Sequence, residues 1–256
     1  MIAPKHIMIM AHRGVTYSGF PENSLPGFQA VVDEGYDGVE LDVRLTRDKE
    51  LVVFHDIRLD RLTTTGRGMV RTKTLEELKK LTLRSDRVQT GIPTLKEVLT
   101  VFQGKPVFVN IEIKSEMPLR GKIEERVIDL IYNMHMRKQV VISSFNPLVV
   151  KKCQRIDPDM RMGFIYEKRL PNLNHRLAKG LVVDSWHPNS VGVNALLMER
   201  AWEARCAVYP WTVNDEKEMQ RMIDLGVDGL ITDYPNIAKK ILQRILAALR
   251  LQVYVR

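Results

Sequence analysis

The sequence predicts an α/β protein built as a TIM (β/α)₈ barrel with a small insertion after the second strand. Short β-branched runs alternate with helical patterns along almost the whole chain, which is typical of a parallel sheet covered by helices. Eight such units can be counted, and 256 residues is close to the usual length of one barrel. An open doubly wound sheet is the alternative, but that fold usually has fewer strands and a glycine-rich first turn, which this sequence lacks.

Each of the eight units combines a short strand with a helix. The predicted strands are apolar runs at positions 7–11, 38–43, 107–113, 140–144, 162–166, 181–185, 207–211 and 229–232. The predicted helices show apolar residues at helical spacing and lie at positions 24–34, 94–102, 123–136, 147–156, about 173–178, 195–204, 216–225 and 237–251. The last helix is basic and amphipathic, a pattern that can lie on a membrane, but we interpret it as the eighth barrel helix.

Two stretches interrupt the alternation. Residues 51–55 form a second apolar run directly after the strand at 38–43, and we interpret them as the returning arm of a β-hairpin outside the barrel count. If Arg47 and Asp48 form a two-residue loop, Glu40 falls opposite His55. Residues 57–92 contain a Thr- and Gly-rich stretch and a short helical pattern, and we expect them to form a cap-like insertion over the pocket. Residues 1–256 are therefore expected to form a single domain.

The composition narrows the class of protein. Hydrophobic residues make up 45% and charged residues 27% of the chain, an ordinary balance for a soluble protein. The two cysteines lack metal-ligand spacing, which argues against a zinc site or a disulfide scaffold. The beginning of the chain carries no secretion signal, and no apolar run reaches about 18 residues. We therefore expect a cytoplasmic protein without stable membrane insertion.

The net charge of +8 favours solubility and attraction for anionic substrates such as phosphate esters. We expect no nucleic-acid partner, because the sequence has no basic patch interleaved with aromatic residues and no known binding module. The sequence makes no prediction for the oligomeric state.

Three acidic residues lie within apolar strands near their carboxyl ends. Glu40 and Asp42 alternate along one strand and face the same side, and Glu112 lies on the next barrel strand. Each acid alone is better explained by a salt bridge, but three converging carboxylates repel one another unless a cation neutralises them. Oxygen ligands alone suit Mg²⁺ or Ca²⁺ better than zinc. The three acids together predict a site for a divalent metal ion.

Two histidines, His12 and His55, lie at neighbouring strand ends beside these acids. A lone histidine is more often structural, but two beside a cluster of acids favour acid–base catalysis, because imidazole exchanges protons near neutral pH. His187 also lies at a strand end, but the following Pro188 predicts a loop role for it.

Two cations and two aromatic residues complete the candidate site. Arg13 and Lys114 would place positive charge near the metal, in side chains that can bind phosphate oxygens, although each could instead pair with a neighbouring acid. Phe145 and Trp211 lie at strand mouths, where they either line a pocket wall or pack the rim. Before the first helix, Asn23 or Ser24 is placed to act as the N-cap, and Asn23 could also reach the site.

These residues resemble the glycerophosphodiester phosphodiesterase family, which is related in fold to phosphatidylinositol-specific phospholipase C. The matching pieces occur in the family's order and cover about residues 7–235. They are Ala11-His12-Arg13-Gly14, Pro21-Glu22-Asn23-Ser24, Val39-Glu40-Leu41-Asp42-Val43, Phe54-His55-Asp56, Gly91-Ile92-Pro93-Thr94-Leu95, Asn110-Ile111-Glu112-Ile113-Lys114, Trp211-Thr212-Val213-Asn214 and Asp228-Gly229-Leu230-Ile231-Thr232-Asp233-Tyr234-Pro235. The family often has Thr where Ser24 stands, a change that keeps the hydroxyl.

The resemblance implies hydrolysis of a glycerophosphodiester to glycerol 3-phosphate and an alcohol. By analogy, the three acids hold the divalent ion, the two histidines handle the protons, and Arg13 and Lys114 steady the phosphate. The attacking group is water or the neighbouring glycerol hydroxyl, and either histidine can be the acid. The head group stays open. The alternatives are a phospholipase acting on lysolipids, a catalytically silent binding barrel and a nucleic-acid phosphodiesterase.

Overall fold

Eight parallel strands form a nearly closed barrel in the computed structural model, which describes residues 6–114, 122–167 and 181–254. The predicted TIM barrel is confirmed. The strands, one of which is antiparallel and lies outside the barrel, are β1 (Met8–His12), β2 (Gly38–Leu45), β3 (Leu51–Val53), β4 (Phe108–Ile113), β5 (Val140–Ser144), β6 (Met162–Tyr166), β7 (Ser185–Pro188), β8 (Ala207–Val208) and β9 (Gly229–Thr232).

The barrel strands follow the order β8-β7-β6-β5-β4-β2-β1-β9, and β3 pairs antiparallel with β2 outside this path. Backbone hydrogen bonds join the ends of the sheet. Asp228 N donates to Val208 O, Ile231 N donates to Pro210 O and Val213 N donates to Ile231 O, each at 3.0 Å. The excluded hairpin arm therefore leaves eight strands for the barrel, as the sequence predicts.

Helices cover the outer faces of the barrel strands, with the exception of one short helix, Leu75–Lys79, which lies within the insertion. They are α1 (Leu25–Asp33), α2 (Leu75–Lys79), α3 (Leu95–Phe102), α4 (Ile123–Asn133), α5 (Pro147–Ile156), α6 (Ala195–Glu203), α7 (Glu216–Asp224) and α8 (Pro235–Tyr254). The predicted cap of α1 forms, because the Ser24 side chain accepts from Gly27 N, and α3 begins at a capping box between Thr94 and Glu97. The helix predicted around 173–178 lies outside the described residues. Within the described ranges, no helix combines the length and apolar character needed to cross a membrane.

Strand β2 shows how the barrel separates apolar from charged side chains. Val39, Leu41 and Val43 belong to the main apolar core, where helices pack on the sheet. The alternate residues Glu40 and Asp42 are also buried, with 4% and 0% exposure, but point to the other face, into the barrel. Both faces of the strand are therefore shielded from water, and the two carboxylates lie in a protein interior.

Residues 57–92 share a second apolar cluster with the β3 hairpin arm. Its buried members are Val52, Phe54, Leu59, Val70, Leu78, Leu83 and Ile92. The expected insertion therefore has its own small core, placed against the hairpin that follows β2. That the whole chain forms one domain, with this segment as a cap over the pocket, stays a prediction.

The predicted two-residue hairpin loop is wrong. Thr46 N donates to Glu50 O at 3.0 Å, so the loop contains three residues, and Lys49 adopts a positive φ of 70° within it. The register therefore shifts by one residue, with Val43 opposite Val53. His55 is not opposite Glu40; it lies beyond the end of β3, where Arg44 donates two hydrogen bonds to its carbonyl.

The predicted position of the strand at 181–185 is also wrong, because β7 covers Ser185–Pro188. The apolar run precedes the strand, and Val182 is 83% exposed. Pairing starts where Asp184 accepts from Met162 N, and it continues through His187 to Pro188. His187 is therefore not in a loop: it is a buried strand residue with no exposed surface.

Candidate active site

Three buried carboxylates meet at the carboxyl ends of β2 and β4. The parallel register pairs Asp42 with Glu112, and Glu40 lies two residues before Asp42 on the same face. Oxygens of all three carboxylates lie within 4.8 Å of one another, a spacing that could hold a metal ion. Glu40 Oε1 is buried and has no hydrogen-bond partner among the described residues.

The two predicted cations lie against this cluster of acids. Lys114 Nζ lies 2.7 Å from Glu112 Oε1 and 3.0 Å from Asp42 Oδ1. Arg13 Nε lies 3.3 Å from Asp42 Oδ2, and Arg13 N donates to Glu40 Oε2 at 3.2 Å. Arg13 has a φ of 58°, a conformation that a residue other than glycine adopts only at an energetic cost.

Burial and charge give the three acids different proton affinities. Burial, followed by the charges of Asp42 and Glu112, raises the pKa of Glu40 well above its usual range. Burial also raises the pKa of Glu112 to about 7, even though Lys114 is close. Burial acts on Asp42 as well, but Lys114 and Arg13 together hold the pKa of this carboxyl below its usual range. The cations therefore stabilise the ionised form of Asp42, whereas the ionised forms of Glu40 and Glu112 stay disfavoured unless a further positive charge is bound.

Each predicted catalytic histidine is held at Nδ1 by a carboxylate. His12 Nδ1 lies 2.7 Å from Asp233 Oδ1, and His55 Nδ1 lies 2.7 Å from Asp56 Oδ1. An ionised carboxylate can only accept, so both imidazoles donate from Nδ1 and keep Nε2 as the free nitrogen. Nε2 of His12 lies 3.8 Å from Glu40 Oε2, which places this imidazole beside the acids.

The pKa values of these groups support the same arrangement. Burial of Asp233 works to raise its pKa, but the hydrogen bond with His12 brings the value below the usual range. Burial lowers the pKa of His55, so its imidazole is favoured in the neutral form. The Asp233 carboxylate is thus held as an acceptor for His12.

Asn23 and Ser24 take the two roles that the sequence left open. Ser24 caps α1, whereas Asn23 makes a reciprocal pair with Asp42: Asn23 Nδ2 donates to Asp42 Oδ2 at 2.8 Å, and Asp42 N donates to Asn23 Oδ1 at 3.2 Å. Asn23 therefore fixes the Asp42 carboxylate against rotation and occupies one face of it.

Phe145 and Trp211 form an aromatic corner next to Lys114. Their rings meet edge to face with centroids 5.3 Å apart, and Lys114 Nζ lies 5.9 Å from the Phe145 ring centroid. Trp211 Nε1 donates to His187 O at 2.9 Å, which fixes the indole, while Phe145 is 38% exposed. On the opposite side, a cavity of about 340 Å³ opens beside His12 and Arg13, bordered by Tyr17 and Tyr234.

The barrel interior also holds a neutral histidine. His187 Nε2 lies 2.8 Å from Ser185 Oγ, and Nδ1 lies 3.5 Å from Asn110 Nδ2. A side chain at position 163 would put its Cβ 2.6 Å from His187 Nε2, so Gly163 provides the space that the ring occupies. Burial lowers the pKa of His187 to about 3.

The sequence matches the model of the Glycerophosphoryl diester phosphodiesterase family over residues 12–237. The chain belongs to this family. A glycerophosphodiester phosphodiesterase from Caldanaerobacter subterraneus subsp. tengcongensis is 39% identical over 232 residues, which cover 89% of this chain and 94% of the relative. The homology makes the protein an enzyme, a phosphoric diester hydrolase.

Two solved structures resemble this one over nearly their whole length. A structure from Silicibacter pomeroyi, 24% identical, has a TM-score of 0.87 and covers 95% of both chains, which shows the shared fold. A phosphodiesterase from Oleispira antarctica, solved in complex with the product sn-glycerol-3-phosphate, is 25% identical. Its TM-score is 0.83, over 92% of this chain and 96% of that chain.

Sequence reasoning assigned no role to four polar residues that the structure places at this enzyme's site. Asp233 and Asp56 hold the two histidines, and Arg61 pairs both with Asp56 and with Glu22. For Asp56 a signal was present, since it directly follows His55 in the chain. For Asp233, which lies 221 residues from His12, the signal was its place at the end of the last strand.

The buried histidine predicts a loss of stability in acid. Between pH 6.5 and about 3, the unfolded chain binds a proton at His187 that the folded chain refuses, so stability falls as the pH falls. This group contributes a slope of about 1.4 kcal/mol per pH unit well below pH 6.5. Urea unfolding at pH 7, 6 and 5 measures it. His187→Gln should show a shallower slope of stability against pH, because glutamine does not titrate and neither do its nearest polar partners, Asn110 and Ser185. Equal slopes would contradict the claim that His187 is buried as a neutral imidazole.

Proposed function

We propose that the enzyme hydrolyses glycerophosphodiesters to glycerol 3-phosphate and an alcohol, using a divalent metal ion and two histidines that act as acid and base. One observation carries the proposal: three acids, two cations and the carboxylate-held His12 converge at the carboxyl ends of β1, β2 and β4, and the carboxylate-held His55 follows the adjoining β3. Barrel enzymes place their catalytic groups at this end. The product sn-glycerol-3-phosphate in the Oleispira antarctica structure supports the same substrate class.

The three acids fit a divalent cation. Arg13 and Lys114 can offset only two of the three negative charges of the ionised acids. Burial and the charges of Asp42 and Glu112 raise the pKa of Glu40, so its ionised form needs a further cation. The buried Glu40 Oε1, without a hydrogen-bond partner in the described residues, is available as a ligand. Carboxylate oxygens suit Mg²⁺ or Ca²⁺, which we propose are held by Glu40, Asp42 and Glu112. When bound, such an ion neutralises and polarises the phosphodiester.

The cations and aromatic residues bind the substrate in this proposal. Arg13 and Lys114 contact the phosphate oxygens and stabilise the negative charge that develops on them. Lys114 presents a point charge, whereas the planar guanidinium of Arg13 can donate two parallel hydrogen bonds. Phe145 and Trp211 form an apolar wall on the Lys114 side.

The histidines move the protons in this proposal. Nε2 of one imidazole takes the proton of the attacking oxygen as the new P–O bond forms. The other histidine is protonated at both nitrogens before the reaction, and its Nε2 donates a proton to the alcohol oxygen as the bond between that oxygen and phosphorus breaks. With water as the attacking group the product forms directly; with the neighbouring glycerol hydroxyl a cyclic phosphate forms first and is then hydrolysed. Asp233 and Asp56 keep each ring in the tautomer that this requires.

Replacement of either histidine should slow the reaction. We expect His12→Ala and His55→Ala to lower turnover of glycerophosphocholine by about 10²- to 10⁴-fold at saturating metal, because a positioned acid or base contributes that much. His6→Ala is the matched control, because His6 is exposed and lies outside the barrel mouth. A near-normal rate for both site variants would show that these imidazoles do not transfer the protons.

A panel of substrates, with and without a chelator, tests the proposed function as a whole. We expect release of glycerol 3-phosphate from choline, ethanolamine, glycerol or inositol diesters in the presence of Mg²⁺, Ca²⁺ or Mn²⁺. Removal of metal should abolish it and re-addition restore it, because without the ion no charge at the three acids neutralises and polarises the phosphodiester. Full activity after exhaustive chelation contradicts the metal role. Hydrolysis of lysophosphatidylcholine or short oligonucleotides, with none of the glycerophosphodiesters, contradicts the substrate class.

A further inference from the structure

Arg61, in the insertion, connects two acids that lie in separate segments of the chain. Its Nε and Nη2 make a two-pronged ion pair with Asp56, at 2.7 and 2.8 Å. Its Nη2 and Nη1 also reach the carboxylate of Glu22, at 3.2 and 3.3 Å. Glu22 precedes α1, whereas Asp56 follows the β3 hairpin arm, so one guanidinium holds both segments in place.

Each of these acids in turn holds a group of the proposed site. Asp56 accepts from His55 Nδ1 at 2.7 Å, and Glu22 accepts from Arg13 Nη1 at 3.0 Å. One continuous chain of ion pairs and hydrogen bonds therefore runs from a proposed proton carrier to a proposed phosphate ligand. Arg61 is the group at its centre.

The insertion fixes the position from which Arg61 reaches these acids. Arg84 Nε donates to the carbonyl of Arg61 at 3.2 Å, and Arg84 Nη2 donates to Thr63 O at 2.9 Å. Arg84 thus connects the backbone around Arg61 to a later segment of the insertion. A guanidinium presented from a fixed backbone loses less conformational freedom when it forms an ion pair.

The same segment also contacts the loop that leads from β1 to α1. Ser85 Oγ donates to Gly19 O at 3.0 Å, and the Arg87 guanidinium lies 4.4 Å from the Phe20 ring centroid while donating to Ser18 O. The insertion therefore touches this loop at residues 18–20 as well as at Glu22. Both contacts restrict the loop that carries Arg13 at its start.

The ion pair also sets the charge of Asp56. The hydrogen bonds from Arg61 lower the pKa of Asp56 to about 2, so this carboxylate remains an acceptor for His55 Nδ1. Without Arg61, no guanidinium would bridge the carboxylates of Asp56 and Glu22. The imidazole of His55 would then lose the fixed partner that selects its tautomer.

We propose that Arg61 is a positioning residue, through which the insertion fixes His55 by way of Asp56 and Arg13 by way of Glu22. This inference rests on the proposed function, since it takes His55 as a proton carrier and Arg13 as a phosphate ligand. In this proposal the insertion does more than cover the pocket. Correct packing of residues 57–92 is required to hold His55 and Arg13 in their catalytic positions.

Steady-state kinetics of Arg61 variants test the proposal. Arg61→Ala should lower kcat about 10- to 100-fold, the usual effect of removing a group that orients a catalytic residue, and should raise KM through the freed Arg13. Arg61→Lys should recover part of kcat, because a lysine keeps the charge but not the two-pronged geometry. Arg58→Ala is the matched control: Arg58 lies three residues away, is similarly exposed and pairs only with Asp60 in the described contacts. It should leave both constants unchanged.

A double-mutant cycle separates the two arms. Asp56→Asn should lower kcat, and Glu22→Gln should mainly raise KM. Adding Arg61→Ala to Asp56→Asn should cost less in kcat than the two single changes multiplied together, because both act through one imidazole. Independent effects would overturn the link between Arg61 and His55.

Imidazole nitrogen NMR gives a readout that does not need turnover. At one pH and one Mg²⁺ concentration, His55 should carry its proton on Nδ1 in the wild type and lose this preference in Arg61→Ala. His12, held by Asp233, is the internal control and should not change. An unchanged His55 tautomer in Arg61→Ala overturns the proposal, even if kcat falls. If Arg61→Ala does not fold, the same comparison is made with Arg61→Lys.

The two levels of inference fail in different ways. If the wild-type enzyme hydrolyses no glycerophosphodiester, the proposed function is wrong, and the NMR result still decides whether Arg61 positions His55. If the wild type is active but Arg61→Ala behaves like Arg58→Ala in kcat, KM and tautomer, the proposed function stands and the role of Arg61 is refuted.

Discussion

The burial of three carboxylates beside two cations is the constraint on which the rest of this site depends. Glu40, Asp42 and Glu112 occupy strands whose opposite faces pack in the apolar core, so water screens their repulsion poorly. Lys114 and Arg13 lower the pKa of Asp42, but the pKa values of Glu40 and Glu112 stay raised. Ionisation of all three acids therefore calls for a further positive charge, which a bound divalent cation would supply.

The barrel topology brings these charges together. β1, β2 and β4 are neighbours in the sheet, and their parallel register pairs His12 with Glu40 and Asp42 with Glu112. The helices between the strands separate these residues widely along the chain and supply the apolar surface that keeps the strands buried. The hairpin and insertion after β2 then add His55 and Arg61 from outside the barrel, so the proposed proton carrier and its supporting ion pairs lie on segments that are not barrel strands.

Much of the fold could be predicted from the sequence, because apolar periodicity marks buried strands and helices directly. The bounds of β5, β6, α5 and β9 match the predicted ones. The β2–β3 register could not be predicted, because it depends on a three-residue loop in which Lys49 has a positive φ. Lysine is not a residue type that favours this conformation. The sequence misplaces β7 because Ser185–Pro188 contains a single large apolar residue, Trp186, whereas the more apolar run before it lies outside the sheet and exposes Val182.

For the candidate site, the acids, cations and histidines could be read from strand ends, because parallel strands share one carboxyl edge. The residues that orient them could not, since their partners are chosen by tertiary packing. Asp233 meets His12 only when the last strand pairs with the first, and Arg61 meets Glu22 across 39 residues only when the insertion folds back. Such supporting contacts follow from the fold and not from local pattern.

The central claim, that the buried acid cluster is a cation site, is tested most directly by crystallography with Mn²⁺. Anomalous scattering measured from crystals of the wild-type enzyme grown with Mn²⁺ locates the ion independently of activity. The account predicts an anomalous peak in contact with oxygens of Glu40, Asp42 and Glu112, and its loss in the Asp42→Asn variant. A wild-type map without a peak at these three carboxylates, at saturating Mn²⁺, would contradict it.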